Sequence, residues 1–390
     1  MKVLHVIPSV SLKHGGPSQA IRLIAQSLAR AEVQVDVATT DDDGPGGQLD
    51  VPLGERVTQD GYGVFYFQKQ TDFYKVSWPF RRWIAERIRD YDLVHVHALF
   101  SFTSNCAART AQRQRVPYLI RPLGVLNRWG MRHRRPWLKS LSLKLIERPI
   151  LRQAAGMHYT SQHEQIHAEA AGATARPFLI PLGIDLSPYN RLPNPEVFFK
   201  RCPAARGRRV VLFLGRLDEI KGLEVLLPAF AGVRQSEAEA CLIIAGAGQV
   251  DYVGKLRRMA GHLGVADAVI WPGFLEGDQK LAAFAAATVF VLPSYSENFG
   301  IAAVEALAAG LPCVLSTGVA ISADVAAAGA GIVVPPEPMK LKEALVRLLS
   351  DDSLNRQCRR NAVRLAEERF SLQAMGQRLL AAYNEVLNGP

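Results

Sequence analysis

Cysteine is scarce in this chain. Its five cysteines, Cys106, Cys202, Cys241, Cys313 and Cys358, are odd in number and far apart. No two have metal-site spacing, and the count excludes a disulfide scaffold and predicts a reducing compartment. No window reaches about 18 uncharged apolar residues, so no membrane span is expected. The apolar start, Val3 to Ile7 before Pro8, is too short for a signal peptide and reads as one buried strand. A cytoplasmic location follows as the expectation. Neither half carries a Gly-x-Gly-x-x-Gly turn directly after its first strand, which argues against a nicotinamide dehydrogenase. Helix-turn-helix, zinc-finger and RNA-binding signatures are missing too, so no nucleic-acid partner is expected.

What is present is a globular composition, 48% apolar and 21% charged over 390 residues. That length exceeds the roughly 250–300 residues at which one core stops growing, so two domains are expected. Apolar runs over Val3–Pro8, Val33–Thr39, Val64–Phe67, Leu93–His97, Tyr118–Arg121, Met157–Thr160 and Phe178–Pro181 alternate with helical segments. A second series runs through Val210–Leu214, Cys241–Ala245, Val269–Trp271, Val289–Leu292, Cys313–Ser316 and Ile332–Val334. Continuous apolar runs suit strands covered on both faces of a parallel sheet. The predicted fold is α/β, two Rossmann-like β/α/β domains facing a deep cleft. Their expected bounds are residues 1–185 and 210–366. A proline-rich linker would occupy 186–209, and a C-terminal helix over 367–390 would pack back on the first domain. Ligands of such sheets bind beyond the strands' carboxyl ends.

The formal charge of +10 is unevenly spread. Residues 128–152 hold eight bases, Arg128, Arg132, Arg134, Arg135, Lys139, Lys144, Arg148 and Arg152, against Glu147 alone. Trp129, Trp137, Leu138, Leu141 and Leu145 are interleaved with them. Two readings stand: a solvated helix face, or a surface that meets an anionic membrane or an anionic glycan. Asp41, Asp42 and Asp43 lie in a polar, glycine-rich loop and read as solvated.

In the second series, Gly215-Arg216 and Lys221-Gly222 follow the first strand and open its helix. Arg supplies a planar donor fork and Lys a point charge, a pair suited to a diphosphate. Gly246-Ala247-Gly248 closes the next strand, and there tight packing and ligand approach are equally open. Ser294 through Gly300, containing Glu297, Asn298 and Phe299, forms a polar turn before a helix whose N-terminus offers free N–H donors. Glu305, inside that otherwise apolar helix, needs a partner if buried. Together these residues suggest a nucleoside diphosphate bearing a polyhydroxylated group.

In the first series, Gly15 and Gly16 permit close backbone approach beside His14 and Pro17. His95 and His97 share one strand face by alternation. No third ligand appears at compatible local spacing, so no metal is expected. His97 is left as either a site wall or a buried, hydrogen-bonded group.

These stretches resemble the retaining nucleotide-sugar-dependent glycosyltransferases of family four, which have the GT-B fold. The most specific match is the pair Glu297 and Glu305, followed by Gly215-Arg216 with Lys221-Gly222. The resemblance implies that Arg216 and Lys221 hold the donor diphosphate and that Asn298, Phe299 and Gly300 add backbone donors. It implies Glu297 on sugar hydroxyls, Glu305 on the ribose, and Phe274 beside the base. Arg216, Lys221 and Glu297 would be the catalytic set. Gly15 and Gly16 would lie over donor phosphates or acceptor. His97, Arg121, Leu123, Gly124, Ser161 and Glu164 would lie on the acceptor or sugar side. Leu123 departs from relatives that often carry His or Arg there, and can neither donate to the sugar nor shuttle a proton.

The implied reaction moves a hexosyl group, with retention, from a nucleoside-diphosphate sugar to a hydroxyl of a glycan or lipid-linked acceptor. A uridine donor is favoured over a guanosine one, and cell-surface polysaccharide synthesis is the expected setting. No cofactor or metal is implied beyond the donor substrate. A nucleotide-sugar epimerase and an inactive nucleotide-sugar-binding protein are the competing readings.

Overall fold

The computed structural model describes residues 1–126 and 136–389. Arg128, Trp129, Arg132, Arg134 and Arg135 of the basic segment lie outside them. The chain divides into two compact units, Met1–Gly183 with Leu372–Pro390, and Ile184–Ser371.

The first unit is built on β1 (Lys2–Val6), β2 (Gln34–Thr40), β3 (Arg56–Gln59), β4 (Tyr62–Phe67), β5 (Leu93–His97), β6 (Tyr118–Arg121), β7 (Gly156–Tyr159) and β8 (Pro177–Leu179). Their order in the sheet is β3-β4-β2-β1-β5-β6-β7-β8. The pairs are parallel except β3 with β4. β3 was not expected, because its residues alternate between exposed and half-buried and carry no apolar run. Asp60 and Gly61, both at positive φ, form the tight turn that joins it to β4. Strand order reverses at β1, where β2 lies on one side and β5 on the other. Such a reversal opens a crevice beyond the carboxyl ends of those strands.

The C-terminal helix, Leu372–Asn388, belongs to this unit. Gly376 lets it close on the helix Gly16–Arg30, since a Cβ there would stand 2.6 Å from the Ser27 carbonyl oxygen. Tyr383, fully buried, reaches His95 Nδ1 at 2.8 Å.

In the second unit β9 (Arg209–Leu214), β10 (Ala240–Ala245), β11 (Val269–Gly273), β12 (Val289–Leu292), β13 (Cys313–Ser316) and β14 (Gly331–Val334) form one parallel sheet. The order is β11-β10-β9-β12-β13-β14, with the reversal at β9. Loops after β9 and β12 therefore meet at the switch point. The stretch 186–209, read from sequence as a linker, folds onto this unit instead. A short helix, Glu196–Arg201, buries Phe198 completely, and Cys202 and Ala205 follow it inward. Burying a phenylalanine is worth about 2 kcal/mol, enough to hold a proline-rich stretch against a neighbouring surface.

Candidate functional site

The loops after β9 and β12 are locked by backbone contacts that exclude side chains. Gly222 sits at φ 69°, and a Cβ there would stand 2.3 Å from the Pro293 carbonyl oxygen. Tyr295 N donates to Ile220 O at 2.8 Å. Gly318 closes the other flank, where a Cβ would meet Tyr295 O at 2.4 Å, and Glu297 N donates to Gly318 O at 2.9 Å. This packing brings Lys221 and Glu297 together, 76 residues apart in sequence, as an ion pair. Both are mostly buried, with side chains 14% and 21% exposed. Gly300 at φ 89° then starts the helix Ile301–Ala308. Its left-handed backbone is one that glycine adopts without a Cβ penalty.

Arg216 stands differently. Its side chain is 75% exposed and its Nε donates to Asp218 at 2.5 Å. It is on the same loop as Lys221 but is not drawn into the Lys221–Glu297 pair. Gly246 and Gly248 have a packing reason: a Cβ would stand 1.8 Å from Gly215 O at the first and 2.2 Å from Leu217 O at the second. Gly215 shares that seam, through Gly215 N to Ala245 O at 3.0 Å. Phe299 is buried against Phe370, edge to face at 5.8 Å between ring centres. Phe274 is 64% exposed, beyond β11.

Glu305 belongs to a second set. It is buried, and its Oε1 accepts from Lys280 Nζ at 2.7 Å. The Tyr189 hydroxyl also hydrogen-bonds it, and burial followed by that carboxylate raises the phenol above its usual range. The partners that a buried Glu305 needs are therefore Lys280 and Tyr189, neither of which its place in the helix identifies. The charge of Lys280 in the helix Gly277–Ala286 was the available signal.

In the first unit the three aspartates are not solvated as expected. Asp41 and Asp42 are buried, while Asp43 pairs with the exposed Lys13 at 2.6 Å. Asp42 accepts from Lys69 Nζ at 2.8 Å, lies 2.7 Å from His14 Nε2, and pairs with Lys75. Burial alone would raise its carboxyl, but hydrogen bonds from Lys69 and Lys75 outweigh it and hold the pKa at about 2. The cluster anchors the loop carrying Gly15 and Gly16, around which a Cβ would meet nothing within 4 Å. The backbone there is open to a ligand.

Ser161 caps the helix Gln162–Ala170 and accepts from Glu164 N at 3.2 Å. Glu164 in turn takes Gly124 N at 2.7 Å and both Thr160 N and Thr160 Oγ1 at 2.8 Å. Its two oxygens are thus committed to shaping the Leu123-Gly124 turn, where Leu123 holds a left-handed φ of 58°. Arg121 is 3% exposed, and its Nε and Nη1 have no partner among the described residues. Burial pushes its pKa down to about 10, with Glu164 pulling the other way.

His97 is one of four buried imidazoles among the described residues. The β1–β5 register sets His5 opposite His95, and His5 Nδ1 lies 2.9 Å from His97 Nε2. Sequence spacing offered no third histidine because this one arrives on another strand. The ligand atoms of His5, His95 and His97 lie within 4.8 Å of one another. The 2.9 Å contact is hydrogen-bond geometry in which one ring donates to the other. His158 Nε2 lies 2.9 Å from Ile180 O, and His158 Nδ1 is 3.4 Å from His95 Nε2.

Burial drives all four imidazoles toward the neutral form, His5 and His158 to about 3, with Arg121 adding to the effect. The unfolded chain would protonate them near 6.5, so it binds more protons than the native state below that pH. Stability should therefore be full above about pH 6.5 and fall as the pH drops toward 3. Each such imidazole adds a slope approaching 1.4 kcal/mol per pH unit, to order of magnitude. Urea unfolding across that range should show the decline, and His158→Gln should flatten it. An unchanged slope in the variant would remove His158 from this account.

Comparison with known proteins adds two matches that divide the chain. The family described as "Glycosyl transferase 4-like domain" matches residues 15–183, and "Glycosyl transferases group 1" matches 196–364. An uncharacterized glycosyltransferase of Methanocaldococcus jannaschii is 33% identical over 177 residues, 45% of this chain and 44% of the relative. A D-inositol 3-phosphate glycosyltransferase of Acidothermus cellulolyticus is 32% identical over 209 residues, 48% of this chain and 46% of the relative. The chain thus spans about half the length of the curated relatives it matches. Among solved structures, the Anabaena HepE protein in complex with UDP has a TM-score of 0.78 at 21% identity, covering 99% of this chain and 100% of the other.

Proposed function

The chain belongs to the family-four glycosyltransferases of GT-B fold, and from that premise we propose that it transfers a hexosyl group from a nucleoside-diphosphate sugar to a hydroxyl. The reading extends to retention of configuration and to a glycan or lipid-linked glycan acceptor. Its setting would be cell-surface polysaccharide synthesis at the cytoplasmic membrane face. The observation that carries it is the half-buried Lys221–Glu297 pair, held at the strand-order reversal beside a Gly300-led helix N-terminus. A half-buried lysine whose partner is a carboxylate can exchange that partner for a diphosphate oxygen. Glu297 is then released to accept from sugar hydroxyls.

Arg216, exposed on the same loop, would swing from Asp218 to the diphosphate. Its guanidinium and the helix N–H groups would stabilise charge developing on the leaving oxygen. Glu305, steadied by Lys280 and Tyr189, would accept from the ribose hydroxyls. Retention would come from same-face attack, with the departing diphosphate oxygen taking the acceptor's proton. Gly15 and Gly16 would approach the phosphates or the acceptor. His97, Arg121, Leu123 and Gly124 would face the sugar or acceptor, with Ser161 and Glu164 shaping the turn. Phe274 would lie beside the base. A uridine donor is favoured, and the solved complex of HepE with UDP supports that choice.

A thermal-shift screen of uridine, guanosine and adenosine diphosphate sugars tests the reading, followed by hydrolysis of each hit with and without exhaustive chelation. We expect a uridine diphosphate sugar to raise the melting temperature and to be hydrolysed slowly without acceptor. Chelation should leave most of the activity, since Lys221 and Arg216 supply the cationic charge. Sugar inversion on an intact nucleotide would indicate an epimerase, and binding without hydrolysis an inactive binder. Activity lost on chelation and restored by Mg²⁺ or Mn²⁺ would overturn metal independence.

A further inference from the structure

On the first unit, a groove of about 820 Å³ runs between the helices Trp78–Arg87 and Phe102–Gln114. Its lining contains Arg81, Arg82, Arg109 and Arg113 and no carboxylate. All four arginines are exposed, and none ion-pairs with an acid among the described residues. Arg109 and Arg113 are one helical turn apart, an arrangement that repels unless an anion lies between them. Trp78 is 55% exposed at the groove's edge, edge to face with Phe102 at 5.7 Å, and the Arg81 guanidinium lies 5.3 Å from its ring centre.

A second feature adjoins the first. Ile146, which also lines the groove, belongs to the helical run 136–152. Trp137, Leu141 and Leu145 recur there every four residues and are 68%, 50% and 60% exposed. The segment's one acid does not neutralise this face. Glu147 is fully buried, accepting from Asn105 Nδ2 at 3.0 Å and Phe100 N at 3.2 Å. Lys144 remains outward, and Arg128, Arg132, Arg134 and Arg135 directly precede the run in sequence.

We propose that this face docks on an anionic lipid bilayer. The arginine groove seats lipid phosphate, while Trp137, Leu141 and Leu145 enter at headgroup depth. Charge complementarity chooses an anionic partner, and the exposed apolar stripe chooses a bilayer over a soluble polyanion. Guanidinium forks match phosphate oxygens, and indole with aliphatic groups at the interface is the matching apolar contribution. The inference deepens the membrane-side part of the proposed function, yet it is tested without donor or acceptor.

The full chain is sedimented with vesicles of phosphatidylcholine alone and of phosphatidylcholine with one third phosphatidylglycerol, at low and moderate salt. Binding is expected on the anionic vesicles, weakening with salt. Arg109→Gln with Arg113→Gln should lower the partition about 30-fold, taking roughly 1 kcal/mol per surface charge. Trp137→Ser with Leu141→Ser should lower it at both salt levels, because apolar insertion is not screened. Wild-type melting temperatures in both variants would show that folding is intact. Equal binding to the two vesicle types, or undiminished binding of the arginine variant, overturns the proposal. So does loss of vesicle binding to an equal charge of soluble oligonucleotide in the tryptophan–leucine variant and the wild type alike. Donor hydrolysis is followed in parallel. Its absence in wild type would count against the transferase reading, while vesicle binding would still decide this one.

Discussion

Lys221→Ala should lower kcat/KM for sugar transfer by about 30- to 1000-fold, equivalent to roughly 2–4 kcal/mol of transition-state stabilisation. Two effects act together. The diphosphate loses a point charge in a mostly buried position, where solvent screens it poorly. Glu297 loses its partner, and an unpaired carboxylate beside the phosphates repels the donor. Steady-state kinetics with the donor varied up to saturation separate the two, since repulsion raises donor KM whereas lost leaving-group stabilisation lowers kcat. Lys221→Arg should recover only part of the loss, because a planar fork does not fit a site shaped around one ammonium. Arg216→Ala should fall in the same range, although Arg216 is exposed and paired with Asp218 in the structure. Wild-type kcat/KM in both alanine variants would remove these residues from the diphosphate site.

Gly222→Ala should destabilise the second unit by about 2–4 kcal/mol, lowering its melting temperature by roughly 5–15 °C. The penalty has two origins, a left-handed φ of 69° and a Cβ placed 2.3 Å from the Pro293 carbonyl oxygen. Backbone cannot rotate away as a side chain can, so the loops carrying Lys221 and Glu297 must separate. Gly264 supplies the control. It has φ 70°, yet a Cβ there meets nothing within 4 Å. Gly264→Ala should therefore cost only the conformational penalty, about 1 kcal/mol. Equal losses in the two variants, measured by calorimetry, would mean that the close approach to Pro293 contributes nothing.

Strands buried on both faces were legible because they leave an uninterrupted apolar run. Val210–Leu214 and Cys241–Ala245 are of this kind, and every residue of β10 is buried. β3 was illegible for the opposite reason, being a polar edge hairpin with little burial. The stretch 186–209 misled through its prolines, which mark turns whether or not neighbours such as Phe198 pack inward. Asp41, Asp42 and Asp43 misled because their environment is tertiary. Lys69 and Lys75 reach Asp42 from 27 and 33 residues away. The same holds for His5, which β1 carries to the pair predicted on β5. In the second unit the motif residues and their loops were readable. The Lys221–Glu297 pairing and the Lys280–Glu305 contact were not, since each depends on how two loops or helices meet.

The most direct test follows the anomeric carbon. A uridine diphosphate sugar of defined anomer is incubated with the full chain and a glycan-bearing acceptor, and the product is read by nuclear magnetic resonance. Released uridine diphosphate and a new glycosidic bond with the donor's anomeric configuration are expected. An inverted product, or no nucleotide release from any nucleoside-diphosphate sugar with any hydroxyl acceptor, would contradict retaining transfer.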